Sequence, residues 1–287
     1  MRYTVGMKRI ITIQDISCVG KCSITVSLPV LSALGVETAI LPTAVLSTHT
    51  MFKGSVIRNL EDTIEPFSRH WQDLGFTFDA VYTGYLASAR QIQLVKDFYD
   101  RFGGNDVLFF VDPAMADSGK LYSGFDDAFP SVMASLCGMA DIIVPNVTEA
   151  CLMTGTPWKE TDDRSYYTDL LEKLAALGTK KAAVITGFPS APGKTGVIGL
   201  DIKSGSLIEF SHEKLPVSFH GTGDIFSSVT VGCLMRGLSL YESLETAANF
   251  VEASIRETIL HDPEKTYGVD FEAVLGILTG RVRNISE

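Results

Sequence analysis

Short apolar segments alternate with longer segments of helical periodicity along most of the chain. RIITIQD (9–15), DVLFFVDP (106–113) and KKAAVITG (180–187) are short, apolar and rich in β-branched or aromatic residues, which predicts buried strands. The segment 88–103 has apolar residues at helical spacing, and Ser88 is a suitable N-terminal cap. Apolar strands that alternate with helices predict an α/β fold with a mostly parallel central sheet and helices on both faces.

The same alternation continues through the rest of the sequence. Further strands are predicted at 36–45, 78–86 and 141–146, and further helices at about 22–35, 59–75, 148–155 and 163–177. Two strand-like segments, 195–202 and 206–212, are joined by KSGS, which predicts a β-hairpin. Because the sequence has no linker, composition break or internal repeat, residues 1–287 are expected to form a single domain.

Composition and charge exclude several classes of function. The formal net charge is −10, so the chain lacks the basic character of a nucleic-acid-binding protein. No apolar run is long enough to span a membrane, and the start MRYTVGMKRII does not resemble a signal peptide. Five scattered cysteines argue against a disulfide framework, and Cys18 and Cys22 lack the second pair that a zinc site needs. We therefore expect a cytoplasmic protein with reduced thiols and no contact with nucleic acid or membrane.

Polar residues stand at the ends of the predicted strands. They are Asp15, Thr43, Tyr85, Asp112, Asn146 and Thr186. Any one of them alone is an ordinary turn or cap residue. In a parallel sheet, however, ligands bind at the carboxyl ends of the strands, and these six residues would lie along that edge. The pattern therefore predicts a ligand site there.

The tetrapeptide GTGD (221–224) opens an apolar segment that reads as a helix up to Gly237. Backbone N–H groups at a helix start are unpaired and favour negative charge, and glycine lets a phosphate approach the backbone closely. Asp224 could then act as a base toward a hydroxyl group while residues 221–224 stabilise phosphoryl oxygens. The alternative is that Asp224 is only a first-turn acid of the helix. The chain contains no Walker A motif.

A second acidic group of residues could serve a divalent cation. PNVTE supplies Asn146 and Glu149 at a strand-to-helix junction, and VDPAMAD supplies Asp112 and Asp117 after a neighbouring strand. Mg²⁺ in proteins takes one or two carboxylates and keeps several waters, so Asp112 and Glu149 are the candidate metal ligands. The alternative for Glu149 is a capping-box acid in the first helical turn.

Together these motifs resemble the ribokinase superfamily, and within it the pyridoxal kinase-like vitamin kinases. The matching pieces, in family order over most of the chain, are TIQDISCVGKCS, PTAVLSTHT, VYTGYL, VDPAMAD, PNVTEA, VITG and GTGD. GTGD and N-x-x-E are specific only to the superfamily. The IQ strand end, LSTHT and TGY point more narrowly to pyridoxal kinases.

The resemblance implies a single ribokinase-like domain without the β-sheet lid of sugar kinases. It implies ATP-dependent phosphorylation of the 5′-hydroxymethyl group of pyridoxal, pyridoxine or pyridoxamine, with Mg²⁺, often a monovalent cation (K⁺ or Na⁺), and usually a homodimer. By position, Asp224 is the base and Gly221, Thr222 and Gly223 form the anion hole. Asp112, Asp117, Asn146, Glu149 and Thr186 fall where the family holds ATP and Mg²⁺, and Thr43, Thr50 and Tyr85 fall near the vitamin ring.

One residue departs from the family pattern. Pyridoxal kinases commonly have serine after the IQ strand end, where its hydroxyl contacts the substrate ring, and this sequence has Asp15. A carboxylate favours a cationic partner such as a pyridinium N–H or an amine. We therefore predict that Asp15 binds substrate and that pyridoxamine is preferred over pyridoxal, unless Asp15 only caps the following loop.

Three other functions remain as alternatives. A hydroxymethylpyrimidine kinase of thiamine synthesis would also satisfy Asp15, although those enzymes typically end the anion-hole motif as GTGC. A sugar or nucleoside kinase lacks support, because the glycine-rich N-terminal sugar signature and the lid insertion are missing. A catalytically silent binder of vitamin B6 or nucleotide is disfavoured by the intact set of Asp112, Glu149 and Asp224. The polar stretch 114–125 is the segment predicted to close over the site.

Overall fold

The computed structural model describes residues 7–215, 217, 219–262 and 267–286, with side chains up to residue 281, and within these ranges a nine-stranded sheet forms the centre. The strands are β1 (Arg9–Ser17), β2 (Glu37–Leu46), β3 (Ile57–Asn59), β4 (Ala80–Thr83), β5 (Leu108–Val111), β6 (Ala116–Asp117), β7 (Lys120–Leu121), β8 (Ile142–Ile143), β9 (Ala182–Ala191), β10 (Lys194–Asp201) and β11 (Ser206–Glu213). The helices are α1 (Ile24–Ala33), α2 (Glu61–Asp73), α3 (Ala89–Phe102), α4 (Phe129–Cys137), α5 (Val147–Thr154), α6 (Arg164–Ala175), α7 (Thr222–Met235), α8 (Leu240–His261), α9 (Phe271–Val274) and α10 (Gly276–Ser286).

The strand order in the large sheet is β11-β10-β9-β8-β5-β4-β1-β2-β3. The six strands from β9 to β2 pair in parallel, whereas β3 at one edge and β10 and β11 at the other pair antiparallel. The mostly parallel sheet and the β10–β11 hairpin are therefore confirmed. Strands β6 and β7 form a separate small hairpin within the stretch 114–125.

Alternate residues of the strands feed two hydrophobic cores, one on each face of the sheet. Ile11 and Ile13 of β1 pack with helices α2 to α6, while Ile10 packs with α1, α7, α8, α9 and α10. This alternation follows from the two-residue period of a strand, whose successive side chains point to opposite faces. Helices therefore cover both faces of the sheet, as predicted, and the central strands are mostly apolar because both of their faces are buried.

Several local signals are confirmed and two elements are not predicted. The Ser88 hydroxyl accepts a hydrogen bond from the Gln91 N–H at the start of α3, and Gly155 ends α5 in the left-handed conformation, with φ 65°. Strands β4, β5 and β8 are shorter than predicted. Strand β3 and the β6–β7 hairpin have no sequence signal, since β3 is three exposed residues long and β6 and β7 are two residues each.

The order of strands places a crevice at the carboxyl ends of β1 and β4. These strands are neighbours, but the chain leaves β1 toward β2 on one side and returns to β4 on the other side. Open α/β sheets bind ligands at such a switch point. In the described part of the chain, no helix combines the length and apolar character needed to cross a membrane.

Candidate active site

Two cavities lie side by side at the carboxyl ends of the parallel strands, and they share part of their walls. The larger has a volume of about 440 Å³ and the smaller about 100 Å³. Asp224, His220, Ala114 and Tyr122 line both. Asp224 therefore stands where the two cavities meet.

The start of helix α7 forms one wall of the larger cavity, to which Gly221, Thr222, Gly223 and Asp224 all contribute. Gly221 has φ 82°, and a Cβ atom there would collide with the backbone carbonyl of Lys21, so only glycine fits this turn. No side chain in the described ranges caps the helix. Its first N–H groups are therefore available to an anion in the cavity.

The carboxyl group of Asp224 has an unusual pKa. Burial, and then the nearby charge of Asp112, raise this pKa from its ordinary value of 3.8 to about 8, although the backbone N–H of Ser23 opposes the shift and Asp15 adds to it. A carboxyl group with a pKa near the working pH can take up a proton from a hydroxyl group effectively. The predicted base is thus a half-buried residue whose carboxyl group has the raised pKa that such a base needs.

Asp112 lies at the end of β5 and faces the larger cavity. The hydroxyl of Ser227, on α7, donates a 2.6 Å hydrogen bond to its Oδ2. Burial raises the pKa of Asp112 to about 6, despite this hydrogen bond. Asp112 keeps acceptor capacity on the cavity side, because one hydroxyl donor occupies one of its several lone-pair sites.

Asn146 and Glu149 form a capping box at the start of α5. The Glu149 N–H donates to Asn146 Oδ1 at 2.9 Å, and the Asn146 N–H donates to Glu149 Oε2 at 2.8 Å. Glu149 Oε1 also accepts hydrogen bonds from the N–H groups of Met115 and Ala116, at 3.0 and 3.4 Å. Glu149 thus holds the chain after β5 in place, and burial raises its pKa well above the ordinary value.

The oxygen atoms of Asp112 and Glu149 are the groups available to bind the predicted Mg²⁺. In the described ranges, no group of three or more His, Cys, Asp or Glu side chains is arranged to bind a metal ion. Mg²⁺ needs only one or two carboxylates when phosphate oxygens and waters complete its shell. Asp112 fits this requirement directly, whereas both oxygens of Glu149 already accept backbone hydrogen bonds. Glu149 therefore has less free acceptor capacity for a metal ion than Asp112 has, and its role as a metal ligand stays a prediction.

The remaining wall of the larger cavity includes predicted and unpredicted residues. Asp117, Asn146 and Thr186 line it, and their predicted role in binding the nucleotide stays a prediction. The sequence reading missed Lys214 and an apolar part formed by Val217, Phe219, Ala248, Val251 and Ile255. These apolar residues come from distant segments with no local motif, so their meeting could not be deduced from the sequence.

Three of the four residues predicted to bind a ring line the smaller cavity. They are Asp15, Thr50 and Tyr85. Thr43, the fourth, lines neither of the two cavities: it is fully buried in β2, where its carbonyl oxygen accepts a hydrogen bond from Gln91 Nε2. The prediction from strand position was therefore correct about the sheet, since Thr43 lies in a parallel strand, but it did not reveal that Thr43 lies outside both cavities.

Two histidines contribute to the cavity walls. His49 and His220 pack with their ring centroids 4.6 Å apart, and His49 Nδ1 accepts a 3.3 Å hydrogen bond from the Met51 N–H. Burial lowers the pKa of His49, and burial with the neighbouring His49 lowers that of His220 to about 4. Both rings are therefore neutral near pH 7. The LSTHT and FHGTGD motifs gave no sign that they stack.

Known proteins match the chain over most of its length. The phosphomethylpyrimidine kinase family matches residues 22–267. A crystal structure from Bacteroides thetaiotaomicron, provisionally named a phosphomethylpyrimidine kinase, is 36% identical, has a TM-score of 0.91, and the match covers 97% of this chain and 96% of that one. Pyridoxal kinase from Lactobacillus plantarum is 31% identical, with a TM-score of 0.88 and coverage of 96% and 98%.

A curated relative points to the other branch of the family. Hydroxymethylpyrimidine/phosphomethylpyrimidine kinase of Bacillus subtilis is 29% identical over 182 residues. That alignment covers 63% of this chain and 65% of the relative, which is less than two thirds of the relative's length. With a family match over most of its length and the same fold, the chain belongs to the phosphomethylpyrimidine kinase family of ribokinase-like vitamin kinases, which also includes pyridoxal kinases.

Proposed function

We propose that this chain transfers the γ-phosphoryl group of ATP to the 5′-hydroxymethyl group of a vitamin B6 vitamer, which is pyridoxamine, pyridoxal or pyridoxine. The observation that carries the proposal is the position of Asp224, whose side chain lines both cavities. A base must reach the acceptor hydroxyl while the donor phosphate lies beside it. Asp224 has that position between a larger cavity for the donor and a smaller cavity for the acceptor.

The larger cavity has the parts that a nucleotide needs. The N–H groups at the start of α7, with Gly221, Thr222 and Gly223, face the phosphates and stabilise charge on the transferred group. Asp117, Asn146 and Thr186 lie beside them, and the apolar part around Val251 suits the base. Mg²⁺, when bound near Asp112, would neutralise phosphate charge.

Asp224 accepts the proton of the 5′-hydroxyl as the oxygen attacks phosphorus. Its pKa of about 8 makes its carboxylate a stronger base than an ordinary aspartate, whose pKa is 3.8. The products are the 5′-phosphate ester of the vitamer, ADP and the proton on Asp224. Asp15, Thr50 and Tyr85 hold the ring in the smaller cavity, which keeps its hydroxymethyl group near Asp224.

Two relatives favour a B6 vitamer as the acceptor. A second crystal form of the Bacteroides protein, again 36% identical and with a TM-score of 0.90, contains pyridoxal. The Lactobacillus plantarum relative is named a pyridoxal kinase. The alternative acceptor is hydroxymethylpyrimidine, which is favoured by the family's name and the Bacillus subtilis relative. Asp224 stands against it, because hydroxymethylpyrimidine kinases typically carry cysteine at that position.

The test is ADP release from Mg-ATP with four separate acceptors: pyridoxal, pyridoxine, pyridoxamine and hydroxymethylpyrimidine. Turnover with a vitamer above the acceptor-free rate is expected. Turnover with the pyrimidine alone would assign the protein to thiamine synthesis, and no turnover with any of the four would refute the kinase proposal. The ranking of pyridoxamine over pyridoxal, a need for K⁺ or Na⁺, a homodimer and a cytoplasmic location stay predictions.

A further inference from the structure

The floor of the smaller cavity is a buried carboxylate held by two serines. Asp15 is 4% exposed, and its Oδ1 accepts a 2.5 Å hydrogen bond from the Ser23 hydroxyl. Its Oδ2 accepts a longer bond, 3.2 Å, from the Ser17 hydroxyl. Two hydroxyl donors leave about half of the acceptor sites of a carboxylate unused. No lysine or arginine in the described ranges forms a salt bridge with Asp15.

The Ser23 hydroxyl binds Asp15 and does not cap helix α1. Ser23 is the residue before helix α1, where a serine side chain ordinarily caps the first turn, yet it makes no capping hydrogen bond. Its backbone has φ 50°, a left-handed conformation that is uncommon for residues other than glycine. Its backbone N–H also faces Asp224 and lowers the pKa of that carboxyl group. Ser23 thus contacts both carboxylates that line the smaller cavity.

A second buried side chain, that of His49, lines the same cavity and is a hydrogen-bond donor, whereas Asp15 is an acceptor. His49 is 2% exposed, and its Nε2 has no hydrogen-bond partner in the described part of the chain. Because Nδ1 accepts the Met51 N–H, the proton of the neutral ring is on Nε2, which is therefore a donor. The residues that line the cavity therefore include an anionic acceptor, Asp15, and a buried donor, His49 Nε2, that has no partner in the described part of the chain. Both groups would cost free energy if no ligand paired with them.

We propose that Asp15, positioned by Ser23, determines acceptor specificity by binding the protonated ring nitrogen of a 3-hydroxypyridine, so that the ring is bound as its zwitterion. This inference deepens the proposed function and rests on it. In a 3-hydroxypyridine one proton exchanges between the ring oxygen and the ring nitrogen. Asp15 favours the proton on nitrogen, and the His49 donor favours the negative charge on oxygen. The ring nitrogen is common to all three vitamers, whereas only pyridoxamine has an amine. If Asp15 binds the ring nitrogen, it gives no preference for pyridoxamine over pyridoxal, so the two assignments are alternatives.

The test is an absorption titration of the protein with pyridoxine in the absence of ATP, since the neutral and zwitterionic tautomers absorb at different wavelengths. The wild-type protein should bind pyridoxine with the spectrum of the zwitterion. Asp15→Asn should bind about 10- to 100-fold more weakly and shift the bound spectrum toward the neutral tautomer. Ser23→Ala should shift the spectrum in the same direction, and Ser17→Ala, which removes the longer bond, should shift it less. A change of spectrum separates this role of Ser23 from a merely structural one.

A change in the ligand gives an independent measurement with the unaltered protein. An analogue of pyridoxine with C–H in place of the ring nitrogen should bind wild-type protein more weakly by a factor similar to that for Asp15→Asn. Asp15→Asn should lose less affinity for the analogue than for pyridoxine, because the analogue lacks the N–H group that Asp15 binds. Equal wild-type affinity for pyridoxine and the analogue would overturn the proposal, even if Asp15→Asn fails to fold.

The remaining outcomes separate this inference from the proposed function. Vitamer phosphorylation with an unchanged Asp15→Asn spectrum and affinity would overturn the inference and leave the kinase function intact. A loss confined to pyridoxamine would assign Asp15 to the amine and overturn the assignment to the ring nitrogen. If wild-type protein binds no 3-hydroxypyridine, both fail. Binding as the zwitterion without ADP release would refute only the kinase function.

Discussion

Replacement of Asp224 by asparagine should abolish most of the activity and stabilise the protein. Asparagine has nearly the same size but cannot accept a proton, so kcat should fall roughly 10²- to 10⁴-fold, the usual contribution of a general base. ATP binding should be unchanged, because the anion-binding N–H groups of α7 belong to the backbone. The two effects on stability and turnover have one cause, which is the buried carboxyl group itself.

The stability effect has a defined pH range. The pKa of Asp224 is about 8 in the folded protein and near 3.8 when unfolded, so between these values the folded state holds a proton that the unfolded chain has released. This group therefore stabilises the fold least at high pH, and its contribution is lost as pH rises from about 4 to about 8. Because Asp224 is partly exposed, solvent screening reduces the effect at pH 8 to the order of 1–3 kcal/mol. The midpoint of thermal unfolding of the variant should exceed that of wild type by roughly 2–10 °C.

The assay combines steady-state ADP release with thermal unfolding at pH 5 and pH 8 without ligands. Asp201→Asn is the matched control, because Asp201 is the last residue of β10 and lines neither cavity. Backbone and hydroxyl hydrogen bonds from Ser204 lower its pKa. That variant should keep its activity and lose some stability at both pH values. Turnover of Asp224→Asn within tenfold of wild type would remove Asp224 from the role of base. A stability gain no larger at pH 8 than at pH 5 would refute the role assigned to burial.

Three further predictions concern the same site. The kcat/KM for the acceptor should rise with pH as Asp224 ionises. Asp112→Asn should move this rise to lower pH, because it removes the charge that, after burial, raises the pKa of Asp224; a rise that does not move contradicts the coupling. Gly221→Ala should lower the midpoint of thermal unfolding, since its Cβ would collide with the Lys21 carbonyl. Gly223→Ala is the control, because the space around its Cβ is open, and it should fold normally. Equal midpoints for the two variants would contradict the close contact between Gly221 and Lys21. Chelation of divalent ions should stop ADP release and added Mg²⁺ should restore it; turnover that survives chelation contradicts the metal requirement.

The sequence predicts most of the fold because each strand and helix of a covered parallel sheet has a recognisable local pattern of apolar residues. Each central strand is buried on both faces, so it reads as a short apolar run, and each helix carries an apolar stripe. Strand β3 leaves no such record, because its residues Ile57–Asn59 are exposed and pair only with the end of β2. The β6–β7 hairpin escapes prediction because each of its strands is only two residues long, too short for a two-residue period to be visible.

The candidate site is predictable as a set of positions but not as an electrostatic system. Tyr85 and Asp112 follow strand ends, and Asp15 lies two residues before the end of β1, so a rule about parallel sheets finds all three. The raised pKa of Asp224 depends on Asp112, which is remote in sequence and adjacent only in the fold. The role of Ser23 is hidden for a further reason: a serine before a helix predicts a cap, and only the structure reveals that its hydroxyl turns to Asp15.

Carboxyl groups surround the two cavities. Their burial destabilises the empty protein, and a bound cation would offset this effect. Burial raises the pKa values of Asp15, Asp112, Glu149 and Asp224, and no salt bridge within the described ranges offsets their charge. Such an arrangement destabilises the empty protein as pH rises, and it favours ligands that bring positive charge. A cation near Asp112 would lower the pKa of Asp224, because the charge of Asp112 is one of the causes that raise it. The phosphate groups of a bound nucleotide act in the opposite direction, because negative charge near Asp224 raises its pKa. The readiness of Asp224 to act as a base therefore depends on the balance between the metal ion and the phosphates.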